Sequence, residues 1–146
     1  MTISDLLQKH QNGTYASMLL SAQSAQQLAD WLDQRGIPHD QPQEFHCTLC
    51  YSRTPVPQAV AMNGPVNITA RAAEWAHLGD NATVLLLDCE RAHRIFQLLK
   101  KHSASHDWPQ YDPHLTVFKD SHIELPNQLP DFPLVFNRII AQPLDD

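Results

Sequence analysis

Two short stretches decide how this chain is read: His46-Cys47-Thr48-Leu49-Cys50-Tyr51 and His114-Leu115-Thr116-Val117-Phe118. Both are rich in residues that favour extended backbone. The first follows a turn-like Asp40-Gln41-Pro42-Gln43, the second an irregular loop, His106 to Pro113. With a period of two, His46, Thr48 and Cys50 share one face, and Cys47, Leu49 and Tyr51 share the other. In the second stretch His114, Thr116 and Phe118 share a face, with Leu115 and Val117 opposite. Each front face therefore presents an imidazole and a hydroxyl ~7 Å apart along the strand, over an apolar back that packs on a helix.

The spacing extends outward from these strands. His46 and His114 lie 68 positions apart (114 − 46). The same shift carries a strand at Thr14–Leu20 onto one at Ala82–Asp88. It also carries an amphipathic helix at Ala22 to Arg35, capped by Ser21 and stopped by Gly36 and Pro38, onto a second at Glu90 to His102. Strand, helix and His-bearing strand thus occur twice, which points to two similar lobes. Further strands are expected around Asn67–Trp75, turning at Gly79-Asp80-Asn81, and at Leu134–Ala141 beyond a Pro-rich loop. Strands and helices mix without strict alternation. The fold class is therefore α+β, with a small antiparallel sheet and an outer helix in each lobe and an active cleft between them. The 146 residues make one domain, its lobes approximately 14–53 plus the C-terminal strand and 66–120.

Composition narrows the partners. Ten Lys plus Arg against sixteen Asp plus Glu give a net charge of −6, with no basic stripe of the kind a duplex binder needs. No apolar run reaches the ~20 residues that span a bilayer, and the N-terminus lacks a basic flank with an apolar stretch behind it. No membrane partner and a cytoplasmic setting are therefore expected. Three Cys are an odd number for a disulfide framework. Cys47 and Cys50, three apart on a strand, should point to opposite faces and could not chelate one ion. His102 and His106 are four apart but lack further ligands by spacing. No metal and no cofactor are expected. His10, His39, His77, His93 and His122 read as surface residues.

Nine His would give about one His-x-Ser/Thr by chance, so the weight rests on two such motifs in matching places of two matching units. Paired imidazoles suit metal-free cleavage of a phosphodiester beside a ribose hydroxyl. One takes the 2′-OH proton, the other protonates the leaving 5′-oxygen, and Thr hydroxyls hold the non-bridging oxygens. The sequence leaves base and acid unassigned between the two.

This arrangement resembles the two-histidine phosphoesterase superfamily, marked by paired His-x-Ser/Thr motifs on pseudo-symmetric lobes. The resemblance covers nearly the whole chain. Gly13-Thr14-Tyr15-Ala16-Ser17, Gly36-Ile37-Pro38, Tyr51-Ser52-Arg53 and Glu74-Trp75 narrow it to the phage anti-CBASS nucleases, which destroy cyclic di- and trinucleotide alarm signals in infected bacteria. The resemblance implies that His46, Thr48, His114 and Thr116 are catalytic and that Tyr15 and Trp75 stack on nucleobases. It also implies metal-independent hydrolysis of 3′–5′ linkages in messengers such as 3′3′-cGAMP. Trp108, in the loop entering the second motif, is a further binding candidate. Lys119 and Arg53, just past the motifs, could offset phosphate charge. The family's C-terminal carboxylate has no clear match in Ala141-Gln142-Pro143-Leu144-Asp145-Asp146. Other readings are an RNA-end 2′,3′-cyclic phosphate or 2′–5′ oligoadenylate phosphodiesterase, a nucleotide sponge without catalysis, and an interaction protein using the acidic tail. The sequence leaves the assembly open, a homodimer included.

Overall fold

A computed structural model describes residues 10–102, 104–105 and 110–144. Six antiparallel strands close into a barrel in the order β1-β2-β5-β4-β3-β6. The strands are β1 (Thr14–Leu20), β2 (His46–Ser52), β3 (Gly64–Leu78), β4 (Ala82–Asp88), β5 (His114–Phe118) and β6 (Leu134–Pro143). Helices α1 (Ala22–Gln34), α2 (Pro57–Val60) and α3 (Glu90–Lys101) complete the α+β fold, with a 3-10 turn at Pro42–Glu44. The 68-residue shift holds for the element bounds: shifted by 68, β1 spans the same residues as β4, and the start of β2 falls on the start of β5. The two half-sheets share edges at β2–β5 and β6–β3, so the lobes are halves of one continuous sheet.

Local chemistry sets the helix ends. The Ser21 hydroxyl accepts the Ser24 amide at 3.1 Å, satisfying one of the unpaired donors of the first turn. At the other end Ile37 N–H reaches Leu32 O at 3.0 Å and Gly36 N–H reaches Asp33 O at 3.1 Å. This six-to-one closure needs a left-handed residue, supplied by Gly36 at φ +65°. The stripe Ala25, Leu28, Ala29 and Leu32 is buried against the sheet, and burying each leucine is worth ~1.5–3 kcal/mol. In α3, Ala92, Ile95, Phe96 and Leu99 do the same, with Glu90 at the positive end of the helix dipole and Lys100 and Lys101 at the negative end. No helix among the described residues is long and apolar enough to cross a membrane.

The structure revises three local expectations. β3 runs from Gly64 to Leu78, longer than expected, because its first half pairs with β6 and its second half with β4. Two neighbours with different demands blur the alternation that sequence reading depends on. In β2, Ala16 pairs with Cys50 while Ser17 pairs with Thr48, leaving Leu49 as an extra residue. That bulge shifts the alternation by one. Cys50 therefore joins Cys47 on the packed side, both fully buried, and Tyr51 comes to the front with His46 and Thr48. All three cysteines are free thiols. His10, expected at the surface, is buried with its Nδ1 3.0 Å from Thr14 Oγ1.

Candidate active site

The site forms where β2 meets β5. Cys47 lies opposite Leu115, so the antiparallel register sets His46 opposite Thr116 and Thr48 opposite His114. Opposed side chains on such a ladder have Cβ atoms ~4.5–5.5 Å apart. The four residues therefore form a crossed square, each imidazole beside the other strand's hydroxyl, and all four are half-buried. The expected cleft between sheets is a cleft over this seam. It encloses about 460 Å³ and is lined by Thr48, His114 and Tyr111, without His46 or Thr116, and by Ala76, Leu78, Val84 and Leu86 along β3 and β4. That aliphatic wall suits a flat apolar group, and Gln110 and Asp112 add polar atoms.

Both imidazoles are held alike. His46 Nδ1 lies 2.7 Å from the Glu44 carbonyl oxygen, and His114 Nδ1 lies 2.9 Å from the Asp112 carbonyl oxygen. A carbonyl oxygen only accepts, so each Nδ1 carries a hydrogen, and each Nε2 is left as the atom that takes up or gives a proton. Each carbonyl belongs to the acidic residue two before its histidine, and these residues are again 68 apart (112 − 44). The same shift that relates the motifs would have located these anchors.

The two sides differ around the anchors. Lys119 Nζ lies 3.0 Å from Glu44 Oε1, so hydrogen bonding from Lys119 holds the Glu44 carboxyl below its ordinary value and Glu44 raises the Lys119 ammonium. The Lys119 amide also donates to Asp40 Oδ2 at 3.1 Å, pinning the segment before the 3-10 turn to the end of β5. Lys119 is thus engaged by the turn that carries the His46 anchor. Arg53 lies 6.0 Å over the Tyr51 ring, and its amide donates to Ser105 Oγ at 2.7 Å. On the other side the Gln110 side chain donates from Nε2 to Asp112 Oδ1 at 3.0 Å.

Tyr15 lies beside Thr48, its hydroxyl 2.9 Å from Thr48 Oγ1 and its ring edge-on to Tyr51 at 6.2 Å. Burial raises the Tyr15 phenol above its ordinary value. Trp75, expected to stack on a nucleobase, takes this place in the sheet. It pairs with Leu85, which pairs with Leu115 on the packed face. Its ring stacks on Trp31 at 6.5 Å, and its Nε1–H donates to Gln128 O at 2.8 Å. Only 6% exposed, it belongs to the core on the opposite side of the sheet from the histidines. Trp108, His106 and the acidic tail Asp145-Asp146 lie outside the described residues. Among the described residues no group of three or more His, Cys, Asp or Glu is placed to hold a metal ion.

Tyr111 is the residue that sequence reading underweighted, noted only as part of the loop before the second motif. Its hydroxyl donates to the Thr48 carbonyl at 2.8 Å, and its ring stacks on Phe96 at 4.3 Å. Burial raises its phenol well above the ordinary value.

The family model for "Anti-CBASS protein Acb1" matches residues 12–146. Relatives of that description include one from Acinetobacter phage Ac42, 31% identical over 130 residues, covering 82% of this chain and 79% of the relative. Another, from Yersinia phage phiR1-RT, is 30% identical over 111 residues, covering 74% and 72%. Among solved structures, E. coli LigT complexed with NADP+ superposes with a TM-score of 0.62 at 13% identity, covering 88% of this chain and 85% of that one. A structure described as a phosphoesterase gives 0.63 at 14% identity with the same coverage. At such identity the superpositions speak to the fold alone.

Proposed function

The chain belongs to the anti-CBASS Acb1 family, and from that premise we propose that it is a metal-independent phosphodiesterase acting on cyclic di- and trinucleotide messengers. It hydrolyses 3′–5′ linkages, 3′3′-cGAMP being one example, in the cytoplasm of an infected bacterium, and so disarms CBASS defence. The observation that carries this reading is the pair of carbonyl-anchored imidazoles on adjacent strands, each beside a threonine hydroxyl.

One Nε2 removes the proton of a ribose 2′-OH as that oxygen attacks the adjacent phosphorus. The bond from phosphorus to the 5′-oxygen breaks, and the second imidazole, starting as imidazolium, delivers its Nε2 proton to the departing oxygen. A 2′,3′-cyclic phosphate results, which water can open to a 3′-phosphate with the two imidazoles in exchanged roles. The Thr48 and Thr116 hydroxyls donate to the non-bridging oxygens as negative charge builds on them. The carbonyl on each Nδ1 fixes ring orientation and stabilises the imidazolium form when it appears. In this reading the aliphatic wall of Ala76, Leu78, Val84 and Leu86 shields one base from water, and the half-buried Tyr15 ring, whose hydroxyl lies 2.9 Å from Thr48 Oγ1, stacks on another.

The test is incubation with a panel of cyclic dinucleotides in EDTA, with products separated by chromatography, beside the His114→Ala variant. Linear products from the wild type alone are expected. Tight binding without cleavage would replace the enzyme by a sequestering protein, and loss of activity in EDTA with recovery on adding Zn²⁺ would overturn metal independence.

A further inference from the structure

The seam that joins the two catalytic strands is thin. Among the described residues the only registered pair between β2 and β5 is Cys47 with Leu115, whereas the neighbouring ladders run through several pairs. Backbone pairing alone holds Thr48 against His114 through little more than one rung. The segment Tyr111-Asp112-Pro113 adds what the ladder lacks. The Tyr111 hydroxyl donates to Thr48 O at 2.8 Å, the Asp112 carbonyl accepts from His114 Nδ1 at 2.9 Å, and the Pro113 carbonyl accepts from Leu87 N at 2.9 Å. Three consecutive residues thus bind β2, the catalytic imidazole of β5, and β4.

The Tyr111 ring is itself fixed. It stacks on Phe96 of α3 with planes 8° apart, meets the His93 ring edge-on at 5.5 Å, and is 9% exposed. Its hydroxyl also lies 3.8 Å from Cys47 Sγ. The position 68 residues earlier is Gln43, so the same shift places no matching tyrosine in the first lobe.

We propose that Tyr111, which also borders the cleft, is a positioning residue that sets the distance between Thr48 and His114 across the seam, acting through the Thr48 carbonyl. This rests on the function proposed above. Burial keeps the phenol protonated, so the donor persists across the working pH range.

Tyr111→Phe keeps the ring and its stack and removes only the hydroxyl. Since misplacement by ~1 Å can cost ~100-fold in rate, kcat on a cyclic dinucleotide is expected to fall by about 10- to 100-fold with KM within about twofold. Phe96→Leu, which loosens the stack and leaves the hydroxyl, is the converse control: a clear loss in Tm and a smaller loss in kcat. A purely structural tyrosine predicts the reverse, with Tyr111→Phe retaining kcat within twofold below its Tm, and that result overturns the proposal. NMR of the wild type and Tyr111→Phe supplies a readout independent of turnover. The Thr48 amide and His114 ring resonances should move while the His46 ring does not; unmoved Thr48 and His114 signals would also overturn it. If the wild type cleaves no cyclic dinucleotide, the functional reading falls and the NMR comparison still decides the role of Tyr111.

Discussion

Replacing His46 and His114 by alanine, singly and together, separates chemistry from folding because each imidazole contributes little to the fold. Each is half-buried, and the one hydrogen bond it makes among the described residues goes to a carbonyl two residues away. Losing such a bond costs about 0.5–1.5 kcal/mol, and in a chain of this length ~1 kcal/mol lowers Tm by ~2–4 °C. Each single variant should therefore remain folded with Tm reduced by only a few degrees. The rate should respond on another scale. General acid or base catalysis is worth ~10²–10⁴-fold, which at ~1.36 kcal/mol per tenfold is ~3–5 kcal/mol of transition-state stabilisation. If proton removal and proton delivery occur in one displacement, the double variant should be about as slow as the slower single variant. Independent contributions would instead multiply to ~10⁴–10⁸-fold. The assay is initial-rate chromatography on a cyclic dinucleotide in EDTA, with Tm by differential scanning fluorimetry on the same samples. A folded single variant within tenfold of wild-type rate would refute the assignment, and strictly multiplicative losses would refute the concerted mechanism.

Three further outcomes test the structure away from the reacting atoms. Desolvation by burial lowers the His39 pKa, but the Asp40 carbonyl and Asp33, 2.7 Å away, outweigh it and raise it above 6.5. A raised folded-state value means that its stabilisation is complete below 6.5 and is lost as pH rises through the raised value. Tm should therefore decline over that interval with a slope that Asp33→Asn reduces; an unchanged slope would refute the pairing. Gly13 has φ +122°, and a Cβ there would collide with the Ser52 carbonyl oxygen and press on Leu144 Cδ1 at 2.8 Å. Gly13→Ala should cost about 2–5 kcal/mol and lower Tm by roughly 10 °C, measured by calorimetry; a loss under 2 °C would refute the close approach. Burial pushes the Cys47 thiol up to about 12 and Cys50 up to about 11. Ellman's reagent should find no fast-reacting thiol in the native protein and three after denaturation; rapid native labelling would contradict the packing of β2.

Much of this protein is legible in its sequence because the relevant signals are local. Period-two alternation places Leu115 and Val117 behind His114 and Thr116, and Ser21 with Gly36 bounds the first helix at both ends. Repetition makes a second kind of signal: the 68-residue shift aligns the motifs, and with them Glu44 and Asp112, whose carbonyls orient the imidazoles. These features depend on neighbours in the chain, so the order of residues determines them.

What tertiary structure alone decided depends on strands far apart in sequence. The extra residue at Leu49 follows from how β1 pairs with β2, and it turns Cys50 inward and Tyr51 outward against the alternation. Trp75 belongs to the packed face because β3 changes partner along its length and because Trp31 and the Gln128 carbonyl receive it. An aromatic residue on a strand carries no mark of which face will be covered. Tyr111 gains its place only once α3 supplies Phe96 and β2 brings Thr48 within reach of its hydroxyl. Pairing, bulges and cross-seam struts are settled by the free energy of the closed barrel, where one strand's register fixes the next, and no single segment encodes that outcome.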